Sequence, residues 1–384
     1  MSRGIVQPGQ TIGIIGGGQL GRMAVREARR TGYRTVIFTD EPGGSPAGQL
    51  ADMEINASYF DDEARERFVR EADVVTMEFE NIPSPFLRSL EERVPLFPGR
   101  QALEICQNRQ REKEFLKAQG IPHAAFRVVQ SAGELGAAAV ALGTPCVLKT
   151  ADFGYDGKGQ QKLNGGEDFD AVWQALDAPR GVVEQWVEFD MEISVVCARA
   201  RDGAFVSWPV CENIHAHHIL DITIAPARIA PDLAEEASRL AEAIAAALDY
   251  TGTLAVEIFV TRAGRLLVNE LAPRPHNSGH HTIDACVTNQ FQQQLRTVSG
   301  LPPGDTRQHS PAVMVNLLGD LWPAPTRHPD WSPVLRHPRA FLHLYGKLTA
   351  KPRRKMGHFT VLGDTVAQAL ECAMQLRKEL GMDG

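Results

Sequence analysis

Apolar positions in the first hundred residues alternate between short continuous runs and amphipathic segments. The continuous runs predict buried strands and are TIGII at 11–15, TVIF at 35–38 and VVTM at 74–77. The amphipathic segments have helical spacing and predict helices in QLGRMAVREARRTG at 19–32, DDEARERFVREA at 61–72 and SPFLRSLEERV at 84–94. This order predicts an α/β region, an open parallel sheet with helices on its faces.

The pattern changes after residue 107. A charged helix is predicted at 108–120, strands then dominate from 145 to 271, and one long helix interrupts them at 231–250. This grouping is typical of α+β structure. The final part of the chain begins proline-rich, becomes basic and ends in a helix. We therefore expect three domains, at 1–107, 108–300 and 301–384.

Composition narrows the classes of function. The 384 residues are 43% hydrophobic and 23% charged, with a net charge of −7, which argues against broad binding to nucleic acid or a membrane. No apolar run reaches the roughly 18 residues that span a bilayer, and the first ten residues lack the apolar core of a signal peptide. The six cysteines are scattered without a CxxC pair, so we expect reduced thiols in a cytoplasmic protein.

The glycines of GGGQLGRM suggest a first hypothesis. Gly16, Gly18 and Gly21 have the spacing of the dinucleotide fingerprint and follow a predicted strand. Asp40 ends the next predicted strand, where a nicotinamide-dependent enzyme keeps its ribose-binding acid. Taken alone, this segment favours a dehydrogenase.

A second glycine-rich segment, VLKTADFGYDGKGQ at 147–160, fits a polyanion. Its glycines would let backbone N–H groups close over phosphates, and Lys149 adds positive charge at a strand end. The Walker pattern is absent, and an ordinary glycine-rich hairpin remains an alternative. Farther on, Glu184 and the backbone of Trp186 and Val187 could hold an adenine edge, although a plain strand end would look the same.

Two carboxylates form the strongest constellation. Glu257 lies within one predicted strand, and Asn269 and Glu270 end the next one after a short turn. Across an antiparallel pair the two carboxylates can face each other, and they repel unless a cation lies between them. Magnesium prefers oxygen ligands and bridges phosphates, so it fits this need. The alternative is one exposed glutamate and one in an ion pair.

Histidines and basic residues offer further candidates. His215 and His217 could point to one face of a strand, for zinc or, more simply, for an anion, and a second cluster is His276, His280 and His281. The segment GKLTAKPRRKMGH at 346–358 is either a solvated face or a phosphate-binding patch.

These segments in this order resemble the ATP-grasp family of 5-(carboxyamino)imidazole ribonucleotide synthetases. GGGQLGRM and APRPHNSGH are the specific matches, and VVTMEFENIP, VEQWVE, MEISV, AVEIF and RRKMGH support them between residues 11 and 360. The resemblance implies an ATP-grasp fold with a Rossmann-like N-terminal domain, two ATP-grasp lobes that divide near residue 186, and a small C-terminal domain. In this family the first glycine turn helps to hold the ribonucleotide, so no nicotinamide is implied.

The resemblance also implies site residues. Those around ATP would be Arg109, Lys149, Gly154, Tyr155, Asp156, Gly157, Lys158, Gly159, Gln160, Glu184, Gln185, Trp186, Val187, Glu192, His215, Asn269 and Glu270. Glu257 and Glu270 would carry magnesium, with manganese as an alternative. Those for the ribonucleotide would be Gly18, Gln19, Leu20, Asp156, Asn277, Lys347 and Arg354, and those for the transfer Arg274, His276, Arg354 and Lys355. The family usually has glycine where this chain has His218.

The implied function is ATP- and bicarbonate-dependent carboxylation of the exocyclic amine of aminoimidazole ribonucleotide, by a cytoplasmic homodimer. Three alternatives stay open from the sequence: a formate-dependent glycinamide ribonucleotide ligase of the same superfamily, an NAD-dependent dehydrogenase, and a nucleotide-binding protein without catalysis. ATP turnover with bicarbonate compared with formate tests the first alternative. Binding of NAD tests the second, and release of ADP in the presence of substrate tests the third.

Overall fold

A computed structural model describes residues 4–41, 43–152 and 159–382. Its first region contains the predicted parallel sheet, with strand order β3-β2-β1-β4. The strands are β1 (Thr11–Ile15), β2 (Arg34–Thr39), β3 (Met53–Asn56) and β4 (Val74–Met77). The helices are α1 (Gln19–Arg30), α2 (Asp62–Glu71), α3 (Ser84–Glu91) and α4 (Arg100–Cys106). Strand β3 and helix α4 were not predicted from the sequence.

Local chemistry explains where these helices begin and end. The Asp61 side chain accepts a hydrogen bond of 2.9 Å from the Ala64 N–H, so it caps the start of α2. Gly32 follows α1 with φ of +82°, a conformation that stops a helix and favours glycine. On one face of the sheet, the ring centroid of Phe38 lies 5.5 Å from that of Phe68 and 4.9 Å from that of Phe86.

The second region is a four-stranded antiparallel sheet with strand order β5-β8-β6-β7 and helices beside it. Its elements are α5 (Arg109–Ala118), β5 (Phe126–Val129), α6 (Ala132–Leu142), β6 (Cys146–Thr150), β7 (Gln160–Leu163), α7 (Phe169–Leu176) and β8 (Gly181–Gln185). The strand β7 and the helix α7 were not predicted.

A nine-stranded sheet contains the remaining strands in the order β14-β13-β9-β11-β12-β15-β17-β16, with β10 beside β9. These strands are β9 (Phe189–Arg199), β10 (Phe205–Ser207), β11 (Cys211–Ala216), β12 (Ile219–Ala225), β13 (Gly252–Thr261), β14 (Leu266–Ala272), β15 (Ala312–Leu318), β16 (Ala340–Leu344) and β17 (Lys355–Leu362). The helices are α8 (Pro231–Ala247), α9 (Thr282–Ala285), α10 (Gln290–Val298), α11 (Ser332–Arg336) and α12 (Val366–Glu379). Strand β14 therefore lies at an edge.

Helix α10 joins the parallel sheet to the nine-stranded sheet. Its Gln294 side chain donates to the Thr76 hydroxyl at 2.6 Å and accepts from the Thr253 N–H at 2.5 Å. Phe291 and Leu295 of the same helix are buried in the core against β1 and α1. This packing connects β1 and β4 to β13, the strand that pairs with β14. Within the described segments, no helix has the length and apolar character needed to cross a membrane.

Candidate active site

Three cations surround the buried carboxylate of Glu184 at the end of β8. Lys149 Nζ lies 3.0 Å from Glu184 Oε1, Lys113 Nζ lies 3.4 Å from Oε2, and Arg109 Nη1 lies 3.9 Å from Oε1. Burial would raise the pKa of Glu184, but these cations outweigh it and lower the pKa to about 2. The carboxylate stays ionised at working pH, and these cations balance its charge.

Glu257 and Glu270 face each other, as the sequence predicted. They are directly paired across the antiparallel strands β13 and β14, which places their side chains on one face. Burial and, second, the neighbouring Glu270 together raise the pKa of Glu257 to about 8. His276 Nε2 lies 3.1 Å from Glu257 Oε1. Burial also lowers the pKa of His276 well below its usual range, so this imidazole brings no positive charge.

A β-bulge lies beside this pair. The register passes from Glu257↔Glu270 directly to Ile258↔Val268, so Asn269 has no partner in the ladder. The Asn269 Oδ1 atom is buried and has no hydrogen-bond partner. Two facing carboxylates and an unpartnered amide oxygen are the hard oxygen ligands that Mg²⁺ or Mn²⁺ prefers. The donor set therefore fits such an ion.

The site cannot complete the coordination of a metal from carboxylates and imidazoles alone. Across the described part of the chain, no three His, Cys, Asp or Glu side chains form a group that could hold a metal ion. Magnesium is usually bound through one or two carboxylates together with phosphate oxygens and water. The pair is therefore suited to a metal that arrives with a nucleotide.

Of the first histidine cluster, the structure brings only His215 to the site. Its Nδ1 atom lies 3.2 Å from Glu192 Oε2, and although burial lowers the pKa of His215, Glu192 raises it above its usual value. His217 and His218 lie in an exposed turn after β11, with φ of 51° and 65°. The idea that His215 and His217 share a strand face was thus wrong, because the strand ends at Ala216. The positive φ at His218 is a conformation that favours glycine.

The first glycine loop binds a carboxylate of the protein itself. The backbone N–H groups of Gly18 and Gly21 both donate to Glu78, and the Gly21 bond is 2.8 Å long. Gly16 has φ of +101°, and a Cβ there would come within 2.4 Å of Glu78 Cγ. The glycines thus allow Glu78 to approach the start of α1. A dinucleotide pyrophosphate at this helix end would meet a negative charge, which argues against the dehydrogenase alternative.

Arg274 and the basic segment lie beside this carboxylate. Arg274 Nε lies 2.5 Å from Glu80 Oε2, and Arg274 Nη2 lies 3.1 Å from Glu80 Oε1. Glu80 therefore binds one edge of the guanidinium through two hydrogen bonds. Lys347 Nζ donates to the Lys355 carbonyl at 2.6 Å. Burial lowers the pKa of Lys347 to about 8, with Arg354 as the next cause. Lys347 and Lys355 act electrostatically on Glu78 and Glu257 respectively.

Some predicted residues are engaged elsewhere in the fold or lie apart. Asn277 is buried and exchanges two amide hydrogen bonds with Asn316, at 2.7 and 3.0 Å. Leu20 belongs to the core beneath α1, and Gln19 is half-buried at the start of that helix. Gln185 and Gln160 are exposed, Val187 is half-buried, and Lys162 Nζ lies 3.7 Å from the centre of the Trp186 ring.

The glycine-rich segment at 147–160 is described at 147–152 and 159–160. Gly154, Tyr155, Asp156, Gly157 and Lys158, all predicted around ATP, lie outside the described residues. Gly159 has φ of +70°, and its carbonyl accepts from the Thr150 N–H at 2.7 Å. These residues of the ATP and ribonucleotide sets remain predictions.

The sequence reasoning missed four charged residues that the structure places here: Glu78, Glu80, Glu112 and Lys113. Lys113 is completely buried and follows Arg109 by four residues on α5, a spacing that puts both side chains on one helix face. Glu78 and Glu80 follow the end of β4, where side chains from neighbouring parallel strands meet. These spacings are visible in the sequence, but they do not show which charges the four residues meet in the folded chain.

Three family models match the chain. The ribonucleotide synthetase preATP-grasp domain matches residues 9–107, the ATP-grasp domain matches 114–291, and the phosphoribosylaminoimidazole carboxylase C-terminal domain matches 312–372. Together they confirm the expected ATP-grasp fold with an N-terminal and a C-terminal flanking domain.

Individual relatives agree over nearly the whole length. The chain is 43% identical over 362 residues to the N5-carboxyaminoimidazole ribonucleotide synthase of Bacillus subtilis, with 94% of each chain covered. An ADP complex of an N5-carboxyaminoimidazole ribonucleotide synthetase has a TM-score of 0.91 at 45% identity, with 98% of each chain covered. The Aspergillus clavatus N5-carboxyaminoimidazole synthase, in complex with ADP and 5-aminoimidazole ribonucleotide, has a TM-score of 0.90 at 32% identity, covering 97% of this chain and 99% of its own.

Proposed function

This chain belongs to the N5-carboxyaminoimidazole ribonucleotide synthases, ATP-dependent ligases of purine biosynthesis, and from that premise we propose how its residues divide the work. The reaction forms a C–N bond at the exocyclic amine of 5-aminoimidazole ribonucleotide and is driven by ATP. The carboxy donor that we propose is bicarbonate. The observation that carries the site assignment is the facing pair Glu257 and Glu270, next to the cationic cluster around Glu184.

The proposed chemistry begins with activation of bicarbonate, which is a poor electrophile because its carbon bears an oxyanion. Transfer of the γ-phosphoryl group gives carboxyphosphate, and phosphate leaves when the amine attacks that carbon. Positioning and charge stabilisation dominate phosphoryl transfer. Lys149 and Arg109 supply fixed positive charge for the phosphoryl oxygens, and their ion pairs with Glu184 hold them in place.

We propose that Glu257, Glu270 and the Asn269 amide oxygen hold Mg²⁺ or Mn²⁺ in complex with the nucleotide phosphates. Such an ion, when bound, neutralises the charge that develops on the phosphoryl oxygens. His276 Nε2 lies 3.1 Å from Glu257 Oε1, on the side of the loop that follows β14. Arg109 Nη1, 3.9 Å from Glu270 Oε2, connects this pair to the cations around Glu184.

The ribonucleotide is proposed to bind between the basic segment and the first glycine loop. Lys347, Arg354 and Lys355 are all half-buried and close enough for Arg354 and Lys355 to act on the pKa of Lys347. Crowded cations of this kind suit a phosphate. Arg274, held by Glu80, would face the transferred carboxy group together with His276.

ADP release tests this function directly. With ATP, Mg²⁺, bicarbonate and aminoimidazole ribonucleotide present we expect full turnover, and omission of the ribonucleotide or of bicarbonate should lower it sharply. Formate in place of bicarbonate should not restore it. Turnover with formate and glycinamide ribonucleotide, or tight binding of NAD, would instead support one of the alternative functions.

Expectations about domains, assembly and location complete the proposal. We propose domains at 1–107, 108–300 and 301–384, with a division between ATP-grasp lobes near residue 186. We also propose a homodimer in the cytoplasm that binds neither nucleic acid nor a membrane. Sedimentation velocity at micromolar concentration tests the dimer, and limited proteolysis tests the domain boundaries.

A further inference from the structure

The edge strand β14 carries Asn269 and Glu270 but has a neighbouring strand on one side only. Its outward N–H and C=O groups need other partners, because an unpaired buried backbone group costs free energy. Helix α5 lies along this edge and supplies side chains instead of a strand. The segment just after this helix also contributes, because the Val268 N–H donates to the Pro122 carbonyl at 2.8 Å.

Two consecutive residues of α5 bind the peptide groups on either side of Glu270. The Leu271 N–H donates to Glu112 Oε2 at 3.0 Å, and Lys113 Nζ donates to the Asn269 carbonyl at 2.8 Å. Glu112 is 3% exposed and Lys113 is 0% exposed, so water cannot replace either contact. The β-bulge at Asn269 makes the second contact necessary, since the strand ladder leaves this residue unpaired.

The helix that carries this pair is itself anchored at its first turn. Asn108 caps it by accepting from the Arg111 N–H at 2.9 Å, and its amide donates to Asp152 Oδ1 at 2.6 Å. The Arg109 N–H donates to the Ala151 carbonyl at 2.8 Å. Because Ala151 and Asp152 follow β6, α5 fixes the position of β14 relative to the start of the glycine-rich segment.

We propose that Glu112 and Lys113 are positioning residues that clamp β14 on both sides of Glu270 and thereby aim its carboxylate at the divalent cation. This inference rests on the proposed metal role of Glu257 and Glu270. The direction of a side chain on a strand follows its backbone, and an edge strand that loses its outer contacts is free to rotate. The clamp acts through Glu270 and touches neither the metal nor a substrate.

Glu112 is the cleaner of the two residues to test, because Lys113 also lies 3.4 Å from Glu184. In Glu112→Gln the amide oxygen can still accept from the Leu271 N–H, whereas Glu112→Met has no acceptor. Lys113→Met removes the donor to the Asn269 carbonyl. Lys117→Met is the matched control, since Lys117 is exposed on the same helix.

The experiment is a titration with Mn²⁺ in the presence of ADP, with free Mn²⁺ followed by electron paramagnetic resonance. Glu112→Met and Lys113→Met should each weaken Mn²⁺ binding roughly tenfold, the usual effect of losing an outer partner of a metal ligand. Glu112→Gln should stay within about twofold of the wild-type protein, and Lys117→Met should be unchanged. ADP binding in EDTA should be preserved in both Glu112 variants.

Two outcomes would overturn the clamp: wild-type Mn²⁺ affinity in folded Glu112→Met, or an equal loss in Glu112→Gln and Glu112→Met. Far-ultraviolet circular dichroism checks that each variant is folded. If Glu112→Met does not fold, the comparison of Lys113→Met with Lys117→Met decides by the same criterion. Glu270→Gln in parallel separates the two proposals, because unchanged Mn²⁺ binding there contradicts the metal site itself.

Discussion

Glu184 and Glu257 are both glutamates on strands at the site, and burial affects both carboxyl groups. Their pKa values nevertheless shift in opposite directions. The pKa of Glu184 falls to about 2 and that of Glu257 rises to about 8. Burial raises the pKa of both groups. The difference comes from their neighbours, which are three cations for Glu184 and another carboxylate for Glu257.

The comparison separates charges that the fold balances from charges that it leaves for a ligand. The ion cluster around Glu184 is balanced by the chain's own side chains. The pair Glu257 and Glu270 is balanced less completely: Arg109 Nη1 lies 3.9 Å from Glu270 Oε2, yet the pKa of Glu257 is still raised, so we propose that a cation from outside completes the balance. The basic segment has the opposite excess, since Lys347 lies among Arg354 and Lys355. The carboxylate pair and the basic segment are therefore the places where we propose that the cation and the phosphate bind.

We expect the largest effect when one carboxylate of the pair Glu257 and Glu270 is replaced. Glu270→Gln should lower ADP release by roughly 1,000-fold, because charge stabilisation during phosphoryl transfer is lost. A coupled assay for ADP measures this, and circular dichroism should show an intact fold. Glu236→Gln, an exposed position on α8, is the matched control and should keep full activity. Unchanged turnover in Glu270→Gln would refute the metal assignment.

We expect a smaller effect from replacing a cation of the basic segment. Lys355→Ala should raise the KM for the ribonucleotide roughly tenfold while changing that for ATP by less than about twofold, as expected for a lost phosphate contact. Lys351→Ala, an exposed position in the same basic segment, should leave both constants unchanged. Equal increases for both substrates would remove Lys355 from the ribonucleotide pocket.

The smallest effect is a pH dependence. The pKa of Lys347 is lowered to about 8, by burial first and then by Arg354, while Glu78 and Glu41 oppose the shift. As pH rises through about 8 the ammonium loses its proton and its attraction for phosphate. We expect kcat/KM for the ribonucleotide to fall by up to about tenfold between pH 7 and 9.

The matched variant for this pH dependence is Lys347→Arg. A guanidinium stays charged, so the decline should move above pH 9. The kcat/KM for ATP should show no matching decline in either protein. A decline that is identical in wild-type protein and Lys347→Arg would assign the pH dependence to another group.

Much of the fold could be predicted because its signals are local. The alternation of strands and helices before residue 107, and the pair of strands that carry Glu257 and Glu270, follow from periodicity and a short turn. Strand β7 was missed because its sequence, QQKL, is mostly polar and exposed. The pairing of β12 with β15, which joins the last region to the central sheet, depends on contacts between residues far apart in the chain.

The candidate site shows the same limit. Residue type and order placed Glu257, Glu270 and Lys149 in the candidate site. They did not show which of these charges would have an ion-pair partner within the chain. Lys113 looks like one of many cations on a charged helix, and only the folded chain brings it to Glu184 and the Asn269 carbonyl. Likewise, nothing local shows that Glu78 reaches the glycine loop 57 residues earlier.

The central claim is tested most directly by the stability of Glu184→Gln and Glu257→Gln in EDTA at pH 8.5. A carboxyl whose folded pKa is raised destabilises the protein above its unfolded pKa, and fully above about 8, whereas one whose pKa is lowered stabilises it above its unfolded pKa. Glu184→Gln should therefore lower the melting temperature by at least about 5 °C, since it leaves buried cations unpaired. Glu257→Gln should leave the melting temperature unchanged or raise it. Destabilisation of similar size in both variants would contradict the account.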